Sequence, residues 1–138
     1  MPVEDARARF RQSRAARLAT VRPDGRPHVV PIVFALADDL LYSIVDAKPK
    51  RGPDLVRLRN IAAEPRVSLL VDHYAEDWRA LWWVRADGLA TVVESGPPRD
   101  VAIRLLREKY AQYGGWATPF GPAVVIRITR WSSWAFSA

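Results

Sequence analysis

The order of apolar segments and tight turns is the feature that most constrains the fold of this chain. About seven apolar runs of strand length alternate with turn residues, whereas only three stretches have helical spacing. A doubly wound parallel sheet needs a helix between most of its strands, and those helices are missing. The pattern therefore predicts a mainly β protein, a closed or nearly closed barrel with helices packed outside it.

Proline and glycine positions refine the predicted strands. Segments 17–21, 28–34 and 40–45 are expected to form a meander. Pro31 cannot donate to a ladder, so its strand is predicted to lie at an edge, to be bulged, or to face something other than a strand. Asp87-Gly88 is typical of a hairpin turn and divides 81–93 into two predicted strands. The chain is expected to close with strands 124–130 and 133–136.

Three helices are predicted from apolar spacing and from proline. The first covers 3–15, the second follows Pro53 and ends before Pro65, and the third starts near 95–98. Arg57 is expected to face away from the apolar stripe of the second helix.

Composition limits the kinds of protein that this chain can be. A length of 138 residues predicts a single domain, 1–138. The absence of cysteine excludes disulfides, thiolate metal sites and cysteine nucleophiles. No apolar run approaches the roughly 20 residues that span a bilayer, and the first residues lack the pattern of a signal peptide. We therefore expect a cytoplasmic protein with no membrane partner.

Positive charge is concentrated in two segments. Residues 1–26 hold seven arginines against three carboxylates, and Lys48, Lys50 and Arg51 stand together between a predicted strand and a predicted helix. Cations just ahead of a helix N-terminus suit a phosphate group. A solvated loop that binds nothing is the alternative. Nucleic acid is not expected, because the aromatic residues are not interleaved with the cations as they are in single-strand platforms.

The tryptophans and histidines are candidate site residues. Adjacent Trp82 and Trp83 point to opposite faces of a strand, so one is expected in the core and the other outside, where a partner or a ring-shaped ligand can cover it. The alternative is that all six tryptophans merely pack. His28 and His73 are more often structural, and neither has a visible nucleophile partner. We expect no metal site, and no catalytic residue is assigned.

Several segments together resemble one family. They are 18–31, Lys50-Arg51, 58–61, 65–72 and 83–90. In order and spacing they resemble the pyridoxamine-phosphate-oxidase-like flavin-binding proteins, and most of all the branch of F420-dependent oxidoreductases.

The resemblance implies a split β-barrel of the FMN-binding-protein type. It also implies a homodimer with two cofactor sites at the subunit interface, filled by coenzyme F420 or, alternatively, FMN. The cofactor would carry hydride to a small conjugated substrate. Other possibilities are an FMN oxidase or reductase, or a non-enzymatic flavin or tetrapyrrole binder.

We call segment 46–53, which holds Lys48, Lys50 and Arg51, the basic loop. Carried over to this chain, the resemblance assigns the phosphate to the basic loop and the ring to the early strands. Val45 and Asp46 would contact the ring or the ribityl chain, and Trp78 would wall the site from the partner subunit. The implied cofactor-binding residues are Val30, Pro31, Val45, Asp46, Lys48, Lys50, Arg51 and Trp78.

Overall fold

The computed structural model describes residues 1–45, 53–114 and 120–137, with the backbone alone at 53–55 and 114. The helices are α1 (Val3–Gln12), α2 (Pro53–Ala63), α3 (Pro97–Lys109) and α4 (Ala111–Gly114). The strands are β1 (Ala16–Val21), β2 (Pro27–Ile32), β3 (Ala35–Ala37), β4 (Leu40–Ile44), β5 (Arg66–His73), β6 (Trp82–Val93) and β7 (Ala123–Ala135). A short 3-10 turn, Trp78–Ala80, joins β5 to β6.

The described strands form one antiparallel sheet in the order β2-β1-β5-β6-β7-β4-β3. Its two edge strands, β2 and β3, are separated along the chain only by Val33 and Phe34. Two edges joined by so short a link require the sheet to curl until they meet. The result is the predicted mainly β fold, a barrel that is split between β2 and β3, with helices packed outside.

Side chains satisfy the backbone where the barrel is split. Ser43 Oγ donates to the carbonyl oxygen of Val33 at 2.9 Å. The buried Tyr110 hydroxyl accepts from the Phe34 N–H at 3.2 Å and lies 3.0 Å from the Phe34 carbonyl oxygen. These bonds replace a strand ladder at backbone groups that would otherwise be buried without a partner.

Pro31 lies on an edge strand, which is one of the three arrangements predicted for it, but the expected meander is wrong. β1 and β2 form a hairpin, and the chain then crosses to the other edge of the sheet. β4 therefore pairs with β3 and β7, not with β2. The physical reason is that β2 stops at Ile32, and a new strand starts at Ala35 after the crossing.

The hairpin predicted at Asp87-Gly88 is also wrong. β6 runs without interruption from Trp82 to Val93, and the irregularity at this point is a bulge in its pairing with β7. A primed hairpin turn requires positive φ, and Gly88 is not among the described glycines with positive φ, which are Gly25 and Gly96. β7 is likewise one strand where two were expected.

Two further expectations concern side chains. Trp82 packs against the core while Trp83 lies on the other face of β6 beside the Arg85 guanidinium, so the predicted division of the pair between two faces is confirmed. Arg57, however, is only 7% exposed and stands one helical turn before the buried Ile61, so the prediction that it faces away from the apolar stripe of this helix is wrong. It lies close enough to His28, beneath the β1–β2 hairpin, for its charge to lower the pKa of that imidazole. None of the described helices has the length and apolar character to span a membrane.

Candidate functional site

One broad surface of the sheet faces away from the core, and we call it the outer face. The burial pattern of β1 alternates, with Ala16, Leu18 and Thr20 inside. Residues directly opposite in antiparallel strands share a face, so the register continues the outer face across β2, β5, β6 and β7. Large apolar side chains stand exposed on it: Val21, Val29, Leu70, Leu89 and Trp134. Charged side chains, among them Arg17, Arg66 and Arg85, share this face. A surface that mixes large exposed apolar groups with polar ones is typical of protein–protein interfaces.

A groove of about 580 Å³ is cut into the outer face. Its lining residues are Ala19, Thr20, Val21, Pro27, Arg66, Val67, Ser68, Asp87, Gly88, Leu89 and Thr129. Ser68 Oγ donates to Asp87 Oδ1 at 2.6 Å, and Thr129 Oγ1 donates to the Asp87 carbonyl oxygen at 3.2 Å. The groove thus combines apolar walls with a few fixed polar atoms, as small-molecule sites do.

The two predicted ring-contacting residues of β2 point in opposite directions. Pro31 is exposed on the outer face opposite Arg17 of β1. Val30 pairs with Leu18, and its half-buried side chain packs against the core. Pro31 and the groove therefore lie on the same surface, whereas the Val30 side chain lies on the core side of the sheet.

Val45 directly follows β4 and precedes the basic loop in the sequence. Its side chain is buried in the core. Its N–H donates to the Pro122 carbonyl oxygen, and its own carbonyl accepts from the Gly121 N–H, both at 2.9 Å. A β-carbon at Gly121 would stand 2.8 Å from that carbonyl oxygen, so glycine is needed for the close approach. Asp46, Lys48, Lys50 and Arg51 lie outside the described residues.

The Trp78 side chain is mostly exposed and is not part of the core of its own barrel. It lies on the 3-10 turn and is 68% exposed, and nearby Tyr74 is 69% exposed. Asp77 caps the turn by accepting from the Arg79 N–H at 3.1 Å. The structure thus places Trp78 on a different connection from β2 and Val45, and holds it in a defined position.

A second cavity, of about 350 Å³, lies beside the split and was missed by the sequence analysis. It is lined by Arg14, Val33, Tyr110, Gln112 and Tyr113. The Arg14 guanidinium lies over the Tyr110 ring at 4.5 Å and donates to the Lys109 carbonyl oxygen at 3.1 Å. In the sequence, only the aromatic residues just after α3 could have indicated this cavity, because the residues that line it with them, Arg14 and Val33, are far away along the chain.

Lys109 closes the same region from α3. Its amine donates to the carbonyl oxygens of Arg11 and Ser13 at 3.0 and 2.8 Å and lies 3.9 Å from the centre of the Phe34 ring. Burial, with a smaller contribution from the charge of Arg14, lowers the pKa of Lys109 to about 8. A neutral amine still has two N–H groups, so both bonds survive deprotonation.

Lys109 should therefore titrate well below an ordinary lysine. Between pH of about 8 and 10.5 the unfolded chain holds a proton that the folded chain has lost, so stability should rise with pH across that window. The ¹³Cε signal of Lys109 followed by NMR should have a midpoint near 8. Arg14→Gln should move the midpoint upward, whereas an ordinary midpoint in the wild type would contradict the assignment.

The two histidines have different surroundings. Burial, followed by the charges of Arg22 and Arg57, lowers the pKa of His28. His73 is exposed at the end of β5 and lies nearly parallel to the Trp82 ring, with centroids 6.3 Å apart. Within the part of the chain that the structure describes, no group of three acidic or histidine side chains could hold a metal ion.

Comparison with known proteins places this fold. The family model described as pyridoxamine 5'-phosphate oxidase matches residues 3–135. No curated protein matches the sequence.

Among the solved structures that share the architecture are the following three. A conserved hypothetical protein from Mycobacterium tuberculosis is 23% identical with a TM-score of 0.78, covering 99% of this chain and 86% of its own. An FAD-binding protein from Mesorhizobium loti is 24% identical, with a TM-score of 0.71 and coverages of 96% and 94%. The heme storage protein HutZ from Vibrio cholerae is 20% identical, with a TM-score of 0.69 and coverages of 98% and 95%.

These structural likenesses support the split-barrel fold alone, since their sequence identities are low. The family match is of another kind, because it extends over nearly the whole sequence. On that ground this chain belongs to the pyridoxamine 5'-phosphate oxidase family.

Proposed function

We propose that this chain is a homodimeric oxidoreductase that binds coenzyme F420, or alternatively FMN, and transfers hydride to a small conjugated substrate. The observation that carries the proposal is the outer face, which exposes large apolar side chains and holds both the groove and Pro31. The FAD-binding neighbour of the same fold adds support.

The residues present fit a phosphorylated tricyclic ring. The groove volume of about 580 Å³ lies within the range of roughly 300–1,000 Å³ usual for small-molecule sites. Ser68 and Asp87 supply fixed polar atoms for the ring edge, and Lys50 and Arg51, with Lys48 nearby, supply cations for the phosphate. When bound, the flavin or deazaflavin supplies the hydride-transfer chemistry.

The protein then has three tasks. Pro31 and the apolar groove walls position the ring and exclude water, and the basic loop anchors the phosphate. Trp78 of the partner subunit closes the site from the other side. No side chain is assigned as an acid or a base, because positioning alone supplies much of the rate in such a reaction.

A second subunit is the proposed cover for the outer face. Val29 is 59% exposed there, and we expect Val29→Asp to weaken the dimer about tenfold or more, because a carboxylate would be buried without a partner. Val3→Asp is a matched control, because Val3 is 49% exposed but lies on α1. Sedimentation velocity across a dilution series measures both. A wild-type monomer at micromolar concentration would contradict the dimer.

Titration with FMN and with F420 tests the cofactor. Lys50→Ala should weaken binding about 10- to 150-fold, because it removes one charge-assisted contact to phosphate worth about 1.5–3 kcal/mol. The control is Arg104→Gln, an exposed arginine of α3 that faces Glu108 at 3.7 Å. Equal losses of cofactor affinity in the two variants would mean that the basic loop acts only through its overall positive charge and makes no specific phosphate contact. Binding of F420 without FMN would identify the deazaflavin.

A non-enzymatic tetrapyrrole binder is the second candidate. The heme storage protein of the same fold and the exposed His73 beside Trp82 favour it. Hemin should then give a Soret band that His73→Ala shifts, with no comparable affinity for FMN or F420.

A further inference from the structure

A third cavity lies between the β1–β2 turn and α2, and it shares no described lining residue with the groove. Its volume is about 300 Å³. Arg22 and Arg26 border it from the turn, and Arg59 and Asn60 border it from the helix. The turn is fixed by two backbone bonds of 2.8 Å, from Arg22 N–H to the Arg26 carbonyl oxygen and from Gly25 N–H to the Arg22 carbonyl oxygen. The arginines are thus presented from rigid elements.

The walls of this cavity carry excess positive charge. Among its described lining residues, Asp24 is the one carboxylate. That carboxylate is engaged by Arg26, whose Nε donates to Oδ2 at 2.8 Å and whose N–H donates to Oδ1 at 3.1 Å. Arg22 and Arg59 therefore border one cavity, and the carboxylate among its described lining residues, Asp24, is already paired with Arg26.

The inner side of the cavity is polar and ordered. Asn60 is 2% exposed, and its Nδ2 donates to Thr20 Oγ1 at 3.0 Å. His28 pairs with Thr20 across the hairpin. The charges of Arg22 and Arg57 reach this imidazole and, after burial, are the causes that lower its pKa. His28 is therefore a built-in reporter of the positive potential beside the cavity.

We propose that this cavity is an anion site for a phosphate-type dianion, held by Arg22 and Arg59 with Asn60 at its floor. Guanidinium groups bind phosphate oxygens in bidentate fashion, and two of them match a double negative charge. The inference goes beyond the proposed function, because it requires neither a flavin nor a second subunit. The dianion has two possible sources, a free phosphate ion or the phosphate monoester of an organic ligand such as FMN. Arg59 lies only about 9 Å along the axis of α2 from Pro53.

Proton NMR of the two histidines tests the site in the absence of flavin. Inorganic phosphate should produce a saturable shift of the His28 ring signal and raise the pKa of His28, since a bound dianion offsets the charge of Arg22. The signal of His73 should stay unchanged. Arg22→Gln and Arg59→Gln should each weaken phosphate binding about tenfold or more, whereas Arg104→Gln should not.

Two results would overturn the proposal: no saturable change at His28 in the wild type, or an equal loss of affinity in Arg104→Gln. Because Arg59 is exposed, Arg59→Gln should keep the fold, which circular dichroism checks. Failure of flavin binding, or of the Lys50→Ala effect, would count against the proposed function and leave the phosphate titration intact.

Competition identifies the source of the anion. If FMN displaces phosphate from the His28 site, the single phosphate of FMN binds at Arg22 and Arg59 in place of the basic loop. If FMN and phosphate bind independently, the site takes a free ion. Both results support an anion site built by Arg22 and Arg59.

Discussion

Replacing Phe10 with alanine is expected to lower the free energy of unfolding by about 3–5 kcal/mol. Phe10 is fully buried and packs against the rings of Phe34 and Trp131, with centroids 5.1 and 5.3 Å away. It therefore fastens α1 both to the link across the split and to β7. The Tyr110 hydroxyl holds the Phe34 backbone by hydrogen bonds. We therefore expect the neighbouring residues to fill little of the cavity that the ring would leave.

Urea denaturation at a single pH measures this loss. Val3→Ala, on the same helix but exposed, should change stability by no more than about 0.5 kcal/mol. A loss below about 1 kcal/mol for Phe10→Ala would mean that α1 is not packed on the barrel as described.

Gly88→Ala is expected to destabilise the protein by about 3 kcal/mol or more. A β-carbon at this position would stand 2.5 Å from the carbonyl oxygen of Arg127 and 2.9 Å from the side chain of Ile126. A backbone oxygen cannot rotate away, so β6 and β7 would have to separate at the bulge. Because Gly88 also borders the groove, the variant should lose flavin affinity together with stability.

The matched control is Thr91→Ala, an exposed position on the same strand, which should change little. Thermal unfolding of the two variants beside the wild type gives the comparison. Gly88→Ala with the stability of the wild type would show that the close pairing of β6 with β7 is wrong.

Local rules were sufficient where a single strand decides the outcome. The missing N–H of Pro31 limited β2 to an edge, a bulge or a stretch without a neighbouring strand, and β2 lies at an edge. The period of two along β6 separated Trp82 from Trp83. These features depend on covalent chemistry and strand geometry, both of which can be read directly from the sequence.

Features that depend on distant neighbours could not be predicted in the same way. Gly88 is a glycine because Arg127 passes close to it, not because the chain turns there. Arg57 is buried because α2 packs beneath a hairpin formed by much earlier residues. The Tyr110 hydroxyl meets the Arg14 carbonyl oxygen at a separation of 96 residues. None of these neighbours is evident from local spacing.

We propose that a flavin or deazaflavin lies at an interface between two copies of this chain. Sedimentation velocity recorded at the absorbance of the bound cofactor tests it most directly, because one run reports both mass and stoichiometry. F420 or FMN is expected to sediment with a dimer at one molecule per chain. Cofactor that sediments with a monomer, or that does not bind at all, would contradict it.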